Sequence, residues 1–126
     1  MANLDEKIIN VVSGDDFQVV RTIDNISVGQ HLIEAWFTIK ENKWDADYIF
    51  QKHITTIEAA NQGVISDTGD TDQIANLQFN LIPANTLLLI PFYEYVYDIQ
   101  VKTNVGYIYT PELGTFISQF SLTEAS

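Results

Sequence analysis

The sequence predicts an all-β fold: a single antiparallel two-sheet β-sandwich with one or two short helical turns. Three observations predict it. Apolar residues recur with a period of two in several segments, the signature of half-buried strands. Clusters of Gly, Asp, Asn and Pro punctuate those segments at short intervals. Strands do not alternate with long helical patterns, which argues against a parallel doubly wound sheet.

Taken in order, residues 1–12 are ambiguous. Leu4, Ile8, Ile9 and Val12 would stripe a helix, while Ile8 to Val12 would equally pair as an arm or strand at a sheet edge. Ser13-Gly14-Asp15-Asp16 is a turn, and FQVVRTI (17–23) is rich in β-branched residues and suits a strand. LIEAWFTIK (32–40) alternates: Ile33, Ala35, Phe37 and Ile39 share one face, and Leu32, Glu34, Trp36 and Thr38 the other. Asp45 is placed to cap a helical turn through DADYIFQK, with Ile49 and Phe50 facing inward. Asp67-Thr68-Gly69-Asp70 is a polar turn before IANLQFNLI (74–82), in which Ala75, Leu77, Phe79 and Leu81 align. Pro83 suits the first position of a second helical turn, PANTLLL. FYEYVYDIQVK (92–102) then aligns Tyr93, Tyr95, Tyr97, Ile99 and Val101, and Asn104-Val105-Gly106 folds it back onto YIYT as a hairpin. Pro111-Glu112-Leu113-Gly114 turns into a last strand, with Phe116, Ser118, Phe120 and Leu122 on one face. The expected core is Ile33, Phe37, Ile39, Leu77, Phe79, Tyr97, Ile99 and Val101.

The chain has 126 residues and reads as one domain, 1–126, without linker or repeat. Its 46% hydrophobic and 18% charged residues are a globular composition, not a disordered one. A net charge of −11 excludes the basic footprint of a nucleic-acid binder and opposes docking on anionic lipid. No apolar run reaches the length of a membrane span, so neither nucleic acid nor membrane is an expected partner. MANLDEKIIN lacks the basic and apolar regions of a signal peptide. With no cysteine there is no disulfide and no thiolate chemistry.

The motifs that could carry chemistry are weak. Asp67-Thr68-Gly69 matches the triplet of aspartic proteases, whose paired carboxylates share a proton. Its context fails, because Asp70, Thr71 and Asp72 follow where a small uncharged residue belongs. Asp67, Asp70 and Asp72 supply three hard oxygen donors and are weak calcium candidates, but the full spacing of a calcium loop is absent. A solvated turn is the simpler reading. His31 and His53 fall on different elements, without the close-spaced partners of a zinc site. There is no Gly-x-Ser-x-Gly elbow and no glycine-rich phosphate loop. No catalytic residue and no cofactor is therefore expected. The tyrosines at 93, 95, 97, 107 and 109 read as core and cross-strand packing, or else as a sugar-stacking platform. Three aromatics are candidates for an interface with another chain. Trp36, on the polar face of its strand, is either covered by a loop such as the one holding Trp44 or part of a contact with another chain, and Trp44 and Phe92 flank strands at what would be the sandwich ends.

The ordered series GDDFQVVRTIDN, AWFTIK, FQKHITT, an acidic turn, LQFNLIPANT and YVYDIQVKTNVGYIYTPELGTF resembles a known group. It is similar to the small immunoglobulin-like β-sandwich virion proteins of tailed bacteriophages, and to the N-terminal domain of phage baseplate upper proteins. The most telling segment is Tyr97-Asp98-Ile99-Gln100-Val101 with the turn and aromatic strand after it, then Thr110-Pro111 and Gly114. The resemblance spans about residues 13–122. It implies an immunoglobulin-like fold and a non-catalytic structural role in the virion, in the tail or baseplate or on the capsid exterior. Other virion proteins and copies of this chain would be the partners. The acidic surface suits the outside of a particle, away from packaged DNA. Two alternatives stand beside it: a capsid cement or decoration protein specifically, and a carbohydrate-binding module that contacts the host surface.

Overall fold

A computed structural model describes residues 7–119. Along them run β1 (Lys7–Val12), β2 (Phe17–Ile23), β3 (Leu32–Lys40), β4 (Phe50–Ile54), β5 (Gly63–Thr68), β6 (Ala75–Leu81), α1 (Pro83–Thr86), β7 (Glu94–Thr103) and β8 (Ile108–Gln119). One sheet has the order β1-β8-β7-β3-β4 and the other the order β2-β6-β5. This is the strand order of a variable-type immunoglobulin-like sandwich, with β4 added beside β3 on the larger sheet. The expected all-β, immunoglobulin-like sandwich is what the chain forms. One pair departs from the antiparallel rule: β1 runs parallel to β8, from Lys7↔Gly114 to Val12↔Gln119. The ambiguous opening segment is thus an edge strand from Lys7 onward.

The core lies between the sheets and centres on Phe37. Its ring packs 5.6 Å from Phe79 across the sandwich, 5.4 Å from Tyr97 and 6.1 Å from Phe116, all centroid to centroid. In antibody domains a disulfide joins the two sheets at this level. Here aromatic packing does so, together with a polar bridge. Arg21 of β2 donates from Nε to Glu112 Oε1 of β8 at 2.7 Å, and Tyr97 Oη donates to Glu112 Oε2 at 2.6 Å. Phe37, Ile39, Leu77, Phe79, Tyr97, Ile99 and Val101 are all buried, as the alternation predicts.

Ile33 is the exception, and the reason is a β-bulge. The register between β3 and β7 slips between Leu32 and Glu34, so Leu32 turns inward and is fully buried while Ile33 is only half-buried. A second slip, between Ile99 and Val101, corrects the reading of Pro111 as a turn. The bulge leaves Pro111 without a ladder partner, so YIYT and the last strand fuse into one long β8. The helical turn expected at Asp45 is absent. Asp45 points backward, its Oδ2 accepting from the Asn42 N–H at 3.0 Å, and Phe50 to His53 lie in β4 instead. The second expected turn, α1, forms with Pro83 at its start, and Asn85 Oδ1 accepts from the Ile82 N–H at 2.9 Å. Strands β4 and β5 were not anticipated. Leu4, Phe120 and Leu122 lie outside the described residues.

Candidate interaction surface

Three connections meet at one end of the sandwich: the β1–β2 turn, the β3–β4 connection and the β6–β7 connection that holds α1. The register Lys40↔Val96 sets the end of β3 beside the start of β7. Two hydrogen bonds tie the loops together. The Gly14 N–H donates to Thr86 Oγ1 at 2.9 Å, and Tyr93 Oη donates to Glu41 Oε1 at 3.3 Å. Thr86 itself is fully buried and anchors α1. Leu89 is buried beneath the same loop, so its neighbours must point the other way.

They are largely exposed. Leu87 is 65% exposed, Leu88 58%, Ile90 64% and Phe92 63%. Trp44 and Tyr48 of the β3–β4 connection are exposed as well, Trp44 at 80% with Lys43 Nζ 4.4 Å above its ring. A run of large apolar side chains this exposed, at one place in the fold, marks a contact surface more often than a solvated one. Phe92 sits at φ 64°, a left-handed backbone that an aromatic residue rarely adopts. Its N–H donates to the Ser118 carbonyl at 2.7 Å, which helps hold the loop in that conformation. On the same three connections and at the start of β7, Asp15, Asp16, Glu41, Asp47 and Glu94 are all exposed.

Of the three interface candidates, Trp44 and Phe92 come to this end. Trp36 does not; it faces outward from the middle of β3. Its ring stacks on His53 of β4 at 5.3 Å, and His53 Nε2 lies 3.5 Å from Glu34 Oε1. A neighbouring strand therefore half-covers Trp36, rather than the loop that carries Trp44. Leu87, Leu88 and Ile90 are not among the expected interface residues, because a continuous apolar run after a helical turn has no polar alternation to mark which side chains face outward. Only α1's single turn is helical, and the leucines continue past its end.

The other candidates resolve into structure. Asp67 Oδ1 accepts from the Gly69 N–H at 2.9 Å, and Asp72 Oδ1 from the Ile74 N–H at 3.1 Å. These carboxylates shape the turn, and Asp67, Asp70 and Asp72 do not converge. Among the described residues no three acidic, histidine or cysteine side chains are grouped to hold a metal ion. Of the tyrosine stripe, Tyr95 and Tyr97 are core, Tyr109 is half-buried, and Tyr93 and Tyr107 are exposed. Two clefts remain. One, of about 380 Å³, crosses the outer face of the larger sheet past Thr38, Val96, Asp98 and Thr115. Burial pushes the Asp98 carboxyl up there, and Lys40 partly offsets it. The other, of about 620 Å³, runs beside Arg21, Tyr109 and Glu112. Neither is lined by a histidine.

No family model matches the sequence, and no curated protein does. In structure the chain is similar to a chicken TCR, at 11% identity and a TM-score of 0.47, over 95% of this chain and 56% of that one. This chain thus spans little more than half of that receptor chain's length. It is also similar to a VGSC beta subunit from work on multimeric cell-adhesive interactions, at 9% identity and a TM-score of 0.45, over 94% of this chain and 93% of that one. The immunoglobulin-like assignment stands on the strand order and register described above.

Proposed function

We propose that this chain is a non-catalytic structural protein of a bacteriophage virion, an immunoglobulin-like module in the tail or baseplate or on the capsid exterior. Its task is to bind other virion proteins. The observation that carries this reading is the exposed apolar end, with Trp44, Leu87, Leu88, Ile90 and Phe92, on a rigid sandwich. The sequence likeness to phage β-sandwich proteins and the acidic surface support the same reading. The carbohydrate-binding alternative would rest on Tyr93 and Tyr107 alone, because Tyr95 and Tyr97 of the stripe are core. Neither of the two clefts described above is lined by a histidine, so neither pairs a hydroxyl nucleophile with a histidine base.

Mass spectrometry of purified particles from the source phage tests this reading. The expected result is this chain present at a copy number set by the particle's symmetry, with a density map locating it outside the DNA compartment. A particle fully active in infection and lacking the chain would overturn the reading.

A further inference from the structure

We infer that the apolar end docks onto a different protein, one whose surface has an apolar centre ringed by Lys and Arg, and not onto a second copy of this chain. The inference rests on the proposed interaction role and names the partner's chemistry. Two facts carry it. The centre is apolar: Trp44, Tyr48, Leu87, Leu88 and Ile90 would leave water together on contact, and burial of such side chains drives association. The rim is acidic: Asp15 and Asp16 adjoin Gly14, whose N–H is bonded to α1. Glu41 is bonded to Tyr93, Asp47 adjoins Tyr48, and Glu94 adjoins Tyr93. Lys43 is the exposed cation of these three connections, and it is already engaged over the Trp44 ring.

Two copies meeting end to end would press carboxylates against carboxylates as they lose solvent. Each chain carries −11, so approach is opposed at long range as well. A membrane with an anionic surface meets the same opposition. A protein with an apolar pocket and a basic rim is opposed by neither, and its cations would pair with the acidic ring. The centre sets how tightly such a complex holds, and the rim sets how fast and how selectively it forms.

The test places a photo-crosslinking phenylalanine analogue at Leu88 in the full chain, expressed in the phage-producing cell. The supporting result has three parts. The crosslink joins a protein other than this chain. The crosslinked peptide of that protein is flanked by Lys or Arg. The yield falls about tenfold in the Asp15→Lys/Asp47→Lys variant while its melting temperature holds. A crosslink to a second copy, a crosslink to lipid, no crosslink at all, or a yield unmoved by charge reversal would each overturn the inference. The virion reading is judged separately. A crosslinked basic partner with this chain absent from particles would sink the virion role and keep the docking chemistry. The chain present in particles with no crosslink at Leu88 would do the reverse.

Discussion

Glu112 links the two sheets through charge: its carboxylate takes Arg21 on one oxygen and Tyr97 on the other, with its side chain only 8% exposed. Removing one partner of such a group leaves the others desolvated and unpaired. Glu112→Ala is expected to cost about 3 kcal/mol, the lower end for a buried pair because Arg21 retains some solvent. Denaturant unfolding measures this; a loss under about 1 kcal/mol would mean that Arg21 and Tyr97 find other partners. Tyr97 also ties stability to pH. Burial, with Glu112 beside it, holds its phenol well above the ordinary value, while Arg21 works the other way. The unfolded chain therefore loses this proton first. Stability from Tyr97 is whole below about pH 10 and declines as pH rises beyond it. Lys52, lowered by burial, contributes the opposite slope, but only below its ordinary value of about 10.5, so its rise is nearly complete where the Tyr97 decline begins. Tyr97→Phe leaves Lys52 in place, so it should flatten the alkaline decline relative to wild type; an unchanged slope would contradict the assignment. Ser118 is the opposite kind of polar residue. It is fully buried, and among the described residues its Oγ has no hydrogen-bond partner. Ser118→Ala should leave stability unchanged or raise it by about 1 kcal/mol.

At the scale of elements, the clearest parts of the sequence were strands with one wet face. Phe37, Ile39, Leu77, Phe79, Ile99 and Val101 alternate with polar neighbours, so period and burial coincide. What failed was register. A bulge adds one residue and inverts every side chain beyond it, and nothing local marks it when both candidates are aliphatic. Leu32 and Ile33 are such a pair. Leu32→Ala should therefore cost about 2–5 kcal/mol and Ile33→Ala clearly less; equal costs in thermal unfolding would put the bulge elsewhere. Pro111 misled for a related reason, since proline reads as a strand breaker unless a bulge hosts it. β4 and β5 escaped notice because they are short: Phe50 to Ile54 alternates over five residues only, beneath an Asp45 that resembles a helix cap. Gly63 shows how tightly β5 then packs. Its φ is +131°, and a Cβ there would lie 1.9 Å from the Gln78 carbonyl oxygen of β6. Gly63→Ala should separate β5 from β6 and lower the melting temperature strongly, whereas Gly106→Ala, in an open turn, carries the cost of its φ alone.

For the whole molecule, composition excluded partners better than it identified them. A charge of −11 spread over the chain gives no address, whereas exposed apolar side chains with acidic neighbours at one end supply the candidate surface. Half of that site was legible. Trp44 and Phe92 stood out because large aromatics beside turns have no strand face to bury them. Leu87, Leu88 and Ile90 did not, because a leucine run predicts burial, and only the early end of α1 turns them outward. Trp36 drew notice for the right physical reason, its place on a polar face, yet its surroundings differ from those of Trp44. These two tryptophans separate fold from contact. Trp36 is half-buried and stacked on His53, so Trp36→Ala removes packing between β3 and β4, at about 1–2 kcal/mol for a partly covered aromatic. Trp44 is 80% exposed, so Trp44→Ala removes almost no internal contact and should leave the melting temperature within about 1 °C. On the proposed virion role the order should reverse on purified particles: Trp44→Ala is expected to lower the amount of this chain bound per particle several-fold, and Trp36→Ala only as far as folding is lost. If Trp44→Ala incorporates normally while a folded Trp36→Ala does not, the contact surface is the outer face of the five-stranded sheet, and the apolar end serves some other purpose.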